Sequence, residues 1–161
     1  MALEQGAPAL RAFSPGYRDI SGISPQRLER IEAYGEKLRR GDKYQRKAAR
    51  ALEGLRVDGE KPIQEVTINP AGGIDDMLEH DLTFITKIGI LYGQVKGSDM
   101  GIKSFRTRLG RRLARLGLET SVNEHLINNG IVLLNGKGSI EAIRQSFLTQ
   151  FTAIAAARAL T

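Results

Sequence analysis

The stretch from Asp99 to Gly117, DMGIKSFRTRLGRRLARLG, constrains the fold most, because its two sides make opposite demands. Ile102, Phe105, Leu109, Leu113 and Leu116 recur at steps of three or four, which at ~100° per residue gathers them on one side of an α-helix. That side must be buried. On the other side lie Ser104, Arg108, Arg111 and Arg115, with Arg106 and Arg112 flanking, and no carboxylate occurs between Met100 and Leu118. Such a helix packs on a core and turns an anion-seeking face outward. Asp99 is placed to cap its start, and Gly117 to end it in a left-handed conformation.

The rest of the chain supplies what that helix packs on. Residues 1–23, with Pro8, Ser14-Pro15-Gly16 and Ser21-Gly22 and little apolar periodicity, are expected as a flexible N-terminal arm ahead of a single globular domain over 24–161. Ser24-Pro25 opens a helix with Leu28, Ile31, Tyr34 and Leu38 on one face. Gly41-Asp42 is positioned to stop it and cap a second helix, Lys43 to Arg56. There Tyr44, Ala48, Ala51 and Leu55 form the core side, and Lys43, Arg46, Lys47 and Arg50 a second basic side.

Val57-Asp58-Gly59 begins a turn, and PIQEVTI suggests a short strand ended by Asn69-Pro70-Ala71-Gly72-Gly73. Ile74 to Tyr92 reads first as a helix, with Ile74, Leu78, Leu82, Ile85 and Ile88 on one face and acidic residues at its start. A short helix followed by a strand from Phe84 to Tyr92 is the alternative, since apolar residues there also alternate. Gly93 to Ser98 is expected as a turn. Beyond Gly117, Ser121-Val122-Asn123-Glu124 has capping-box spacing for a short helix ending at Asn129-Gly130, while the same Asn-Gly pair is equally a hairpin signal. Either way Ile131 to Leu134 is a buried strand. From Ser139 a last helix places Ile140, Ile143, Phe147, Phe151 and Ile154 on its core side. Its other side is small and neutral (Ala142, Ser146, Thr149, Ala153, Ala156), which suits a central helix or a subunit interface. The fold class implied is α+β and predominantly α-helical: one compact domain of about four to five helices with two or three short strands.

Charge placement narrows the function. The net charge is +6, but eight basic and two acidic residues fall between Lys37 and Arg56, and six basic and none acidic between Met100 and Leu118. The remainder holds ten basic and sixteen acidic residues, so the positive charge is concentrated as an electrostatic footprint for a polyanion would be. Arginine outnumbers lysine sixteen to eight, and guanidinium suits bidentate phosphate contacts. The chain has no cysteine, so disulfides and thiolate metal sites are excluded. No apolar run approaches the ~20 residues of a membrane span, and no signal-peptide core is present, so a cytoplasmic location is expected.

The remaining motifs are weaker. Leu133-Leu134-Asn135-Gly136-Lys137-Gly138-Ser139 puts a glycine turn with a lysine between a strand and a helix, but Gly138 stands where a Walker sequence needs Ser or Thr, and Glu141 where a dinucleotide fingerprint needs its third glycine. What survives is a possible anion site at Lys137, Gly138 and Ser139, set against a plain tight turn. Asp76, Glu79, His80 and Asp81 offset a helix dipole more readily than they hold a metal, and His125 has no triad context. No metal, cofactor or catalytic constellation is expected.

The function expected is a non-catalytic accessory subunit that binds RNA or DNA backbone without sequence preference, within a multi-subunit nucleoprotein complex. Its binding residues are Arg108, Arg111, Arg112 and Arg115 on one helix and Lys43, Arg46, Lys47 and Arg50 on the other. The 140–160 helix would contact other subunits or a second copy. The alternative is a structural assembly cofactor whose basic surface meets acidic protein partners.

Overall fold

The computed structural model describes residues 24–69 and 80–160. Within them the elements follow as α1 (Pro25–Glu53), β1 (Ile63–Ile68), β2 (Leu82–Thr86), β3 (Gly89–Lys96), α2 (Asp99–Arg115), α3 (Val122–Asn128), β4 (Ile131–Asn135) and α4 (Ile140–Ala159). This is the expected α+β fold, predominantly helical, with four strands where the spacing predicts two or three. The N-terminal arm expected over 1–23, and the turn and acidic cluster expected from Pro70 to Glu79, lie outside the described residues.

The chain divides into two units, 1–40 and 41–161. In the first, the Ser24 hydroxyl accepts from the Arg27 amide at 3.3 Å and opens α1 as expected. Gly41 and Asp42, expected to end one helix and begin another, instead lie inside α1. One interior glycine costs a helix only about 1 kcal/mol, and Asp42 is paired with Arg46 one turn on, at 2.7 Å, rather than capping. The helix ends at Glu53, and Val57-Asp58-Gly59-Glu60 closes a two-residue turn with both central residues at positive φ (52° and 80°).

The second unit is built on a sheet in the order β1-β2-β3-β4, antiparallel except for the parallel pair β3-β4. In β4, Val132 and Leu134 belong to one buried cluster and Leu133 to another. Successive side chains on a strand point to opposite faces, so both faces of the sheet are covered there. On one face α1 supplies Ala48, Ala51, Leu52 and Leu55, and α4 supplies Ile143, Phe147, Phe151 and Ile154, against Ile63, Leu82, Phe84, Leu91 and Val95. Phe147 meets Phe84 edge to face at 5.4 Å between centroids. On the other face α2 contributes Phe105, Leu109 and Leu113, and α3 Leu126. The outlying members of the apolar stripes stay in solvent: Leu116 is 66% and Ile140 51% exposed.

The region 82–92 is a hairpin, so the helix expected across it does not form. Leu82, Phe84 and Thr86 face the core while Ile85 is exposed. The two-residue alternation of a segment rich in β-branched residues therefore prevails over its helical spacing. The Thr86 hydroxyl closes the turn, accepting from the Ile88 amide at 3.1 Å and donating to the Gly89 carbonyl at 2.7 Å, with Gly89 at φ 108°. Gly93 to Lys96, expected as a turn, continues β3 and pairs with β4. The cap of α2 is Ser98, whose hydroxyl accepts from the Gly101 amide, rather than Asp99, whose carboxylate accepts from the Asn135 amide group at 3.0 Å. The Ser121-Glu124 capping box forms, and Asn129-Gly130 ends α3 rather than turning a hairpin, because β4 runs parallel to β3.

Two polar side chains of α4 close what the sheet leaves open. Alternate residues of β4 bond to β3, which turns the Leu133 N–H and C=O toward the free edge. The Gln150 amide meets both, at 2.8 Å each, and so occupies the place of a fifth strand. Arg158 donates to the carbonyls of Ile88 and Ile90 and ties the end of α4 to the hairpin. Phe147→Ala should lower unfolding free energy by about 3–5 kcal/mol, since it empties a fully buried aromatic site. Urea denaturation monitored by circular dichroism measures this, and a loss under ~1 kcal/mol would contradict the packing described.

Candidate nucleic-acid interface

The arginine face of α2 follows from its burial. Phe105, Leu109 and Leu113 are held in the core, so the helix has one rotation available, and it leaves Arg108, Arg111, Arg112 and Arg115 exposed. Arg112 and Arg115 stand in the last turn, where they also complement the negative end of the helix dipole. Asp99, the only acid of the helix, lies in its first turn and is bonded to Asn135. The Phe105 ring carries two cations near it, with Lys96 Nζ at 5.2 Å and the Arg108 guanidinium carbon at 6.0 Å from its centroid. Lys96 thus joins this face from β3. Sequence reasoning missed it, because the expected turn at Gly93 to Ser98 hid its position in a strand.

The basic face of α1 is set in the same way. Ala48, Ala51, Leu52 and Leu55 are buried, and Lys43, Arg46 and Arg50 are exposed on the opposite side, with Lys47 half-buried at its margin. The Asp42 carboxylate already offsets part of the Arg46 charge. The structure does not join the two faces into one patch: α1 packs with Val132 and Leu134, α2 with Leu133, and these are opposite sides of the sheet.

Arg106 behaves differently from its neighbours. It is half-buried, its guanidinium donates to the Asn123 side-chain oxygen, and it lines a cleft of about 340 Å³ between α2, α3 and α4. The floor is apolar, with Leu126, Ile131, Leu133 and Ile154, while Ser146, Thr149 and Ala153 bring the neutral side of α4 to its wall. This cleft joins residues distant in sequence, and no local motif announces it.

At the candidate anion site the backbone is already engaged. Gly136 N–H donates to the Lys96 carbonyl, Lys137 N–H to the Asn135 side chain and Gly138 N–H to the Asn135 carbonyl, at 2.8, 3.0 and 3.1 Å. Ser139 caps α4 through the Ala142 amide. Tyr44 lies so close over Gly136 that a Cβ there would fall 2.5 Å from Tyr44 Cβ. The segment serves as a packed turn, with the Lys137 side chain in solvent.

Elsewhere, Tyr92 is the single aromatic residue that the described strands place on the α2 side of the sheet, and it stacks with His80 at 4.2 Å between centroids. Among the described residues no three His, Asp or Glu side chains gather to hold a metal, and no helix is long and apolar enough to cross a membrane. In comparisons with known proteins, the chain matches no family model, no curated protein and no solved structure. Because its amides are spent, the 136–138 turn should show no amide shift when inorganic phosphate is titrated to millimolar levels in a ¹⁵N-labelled sample. Saturable shifts at Gly136, Lys137 and Gly138 would restore the anion site.

Proposed function

We propose that the protein is a non-catalytic accessory subunit, acting in the cytoplasm, that binds nucleic-acid backbone through the arginine face of α2. The observation that carries this reading is the exposure of Arg108, Arg111 and Arg115 opposite a fully committed core face, in a segment with no acid from Met100 to Leu118. Exposed guanidinium groups on a helical segment that holds no acid complement the charge of a phosphate chain and suit its bidentate recognition. Backbone contact of this kind positions a protein without reading sequence, and the described strands offer no pair of exposed aromatics for base stacking. The outward side of α4, with Ala142, Thr149, Ala153 and Ala156 exposed, suits a contact with another subunit or a second copy.

A second reading, an assembly cofactor that meets acidic protein partners, draws on the cleft. An apolar floor beside the half-buried Arg106, whose hydrogen-bond partner is the neutral Asn123, would accept an apolar anchor with a carboxylate beside it. The two readings separate by competition, since bulk nucleic acid displaces a phosphate-reading surface and leaves a shape-complementary protein contact in place.

Arg108→Glu, Arg111→Glu and Arg115→Glu combined should weaken binding to a mixed-sequence RNA or DNA by on the order of a hundredfold at moderate salt, since about three phosphate contacts are lost and repulsion added. All three side chains are exposed, so circular dichroism should show a folded protein, with the melting temperature lowered by only about 2–4 °C because Arg115 no longer complements the end of the helix dipole. Undiminished affinity in a folded variant would refute the assignment.

A further inference from the structure

The two basic faces point away from each other, and this bears on what one molecule can hold. The core stripe of α1 and that of α2 rest on opposite faces of β4, so their outward stripes, Lys43, Arg46 and Arg50 on one side and Arg108, Arg111 and Arg115 on the other, are separated by the full three-layer thickness. Two helices about 10–12 Å across with a sheet between them set those side chains roughly 30 Å apart. That is several times the ~8 Å Debye length at physiological salt, so phosphates gathered on one face do not shield the other. A duplex has a persistence length of about 50 nm and does not bend around a body this small.

Resting on the nucleic-acid reading above, we infer that the two faces are independent backbone sites and that a single molecule bridges two duplex segments. The faces are unequal. The α1 site is the weaker, because Asp42 holds Arg46 at 2.7 Å and Glu53 closes the helix. The α2 site has no acid beyond its first turn. Binding therefore proceeds in two steps: the α2 face takes the first duplex, and the α1 face, still open, takes a second as duplex concentration rises. Excess protein separates them, since every duplex then finds an α2 face of its own.

The test uses the full chain, one mixed-sequence DNA duplex immobilised on beads and the same duplex, fluorescently labelled, in solution. Fluorescence anisotropy reads binding of one duplex, and labelled duplex retained on the beads reads bridging. Wild type should retain labelled duplex, with a maximum at intermediate protein and a fall at excess. The α1 variant Lys43→Glu with Arg50→Glu should keep single-duplex affinity within about threefold and lose retention, because the stronger phosphate site is intact. The α2 triple variant should keep weak, salt-sensitive binding and also lose retention. Wild type that binds a duplex without retaining a second one overturns the bridge. So does an α1 variant that retains labelled duplex as well as wild type, for then two copies bridge through their α2 faces. An α2 variant with no residual binding at low salt shows that α1 is no site, and wild type that binds no duplex at all refutes the nucleic-acid reading itself.

Discussion

The arrangement depends on the burial of β4 from both sides. Val132 and Leu134 have no contact with solvent on one face, and Leu133 is 5% exposed on the other. A strand apolar on both faces must be covered twice, which is the ordinary situation of a parallel pair joined by helical crossovers. Here β3 leads into α2 and α3 on one face, and β4 leads into α4 on the other, with the end of α1 beside it. Once those faces are assigned, the rotation of every helix about its axis is fixed by its buried residues, and so is the direction of each polar stripe. The positions of the arginines are thus consequences of where Phe105, Leu109, Ala48 and Leu52 go.

The cations divide into two kinds by what their donors reach. Arg144 donates to the Ala51 carbonyl at 2.8 Å, near the carboxyl end of α1, and Arg158 to two hairpin carbonyls. These hold backbone carbonyls where elements meet, at about 0.5–1.5 kcal/mol for each part-buried bond. They are structural, and they account for the only cations of a C-terminal helix otherwise nearly neutral. Arg108, Arg111 and Arg115 are exposed on an element whose first-turn acid already has a partner. Surface charge of this second kind adds little to folding, and it is on these residues that the proposed binding role rests.

Much of this was legible in the sequence, and the failures share a cause. The α2 and α4 core stripes form as read except at their ends, where Leu116 and Ile140 stay exposed, the strand at Ile131 forms as read, and of the two readings of 121–130 the capped helix prevails. The errors fall where local signals conflict with pairing partners far along the chain. Leu82 to Tyr92 fits a helix by spacing, but Leu82, Phe84 and Leu91 are buried in one cluster with Phe147, which lies far along the chain and meets Phe84 edge to face, and that packing enforces the strand. Gly41 looks like a stop, yet nothing within 4 Å compels one. Of the candidate site, the exposure of Arg108, Arg111, Arg112 and Arg115 was readable from periodicity, whereas Lys47, expected on the basic side of α1, lies half-buried. That the two basic faces oppose each other, that Lys96 sits over Phe105, and that Asn135 and Tyr44 consume the 136–138 turn all depend on tertiary contacts.

The most direct measurement is the affinity of the intact chain for a short mixed-sequence duplex long enough for one molecule, across a salt series, with protein in excess so that no molecule holds two duplexes. A log–log slope of about −3 to −4 would mean three or four phosphates neutralised, the complement of the α2 face alone. A slope near −7 would mean that both faces engage one duplex, which opposed faces forbid. Absence of binding at low salt, or affinity indifferent to salt, would contradict the account that these arginines are arrayed for a phosphate backbone.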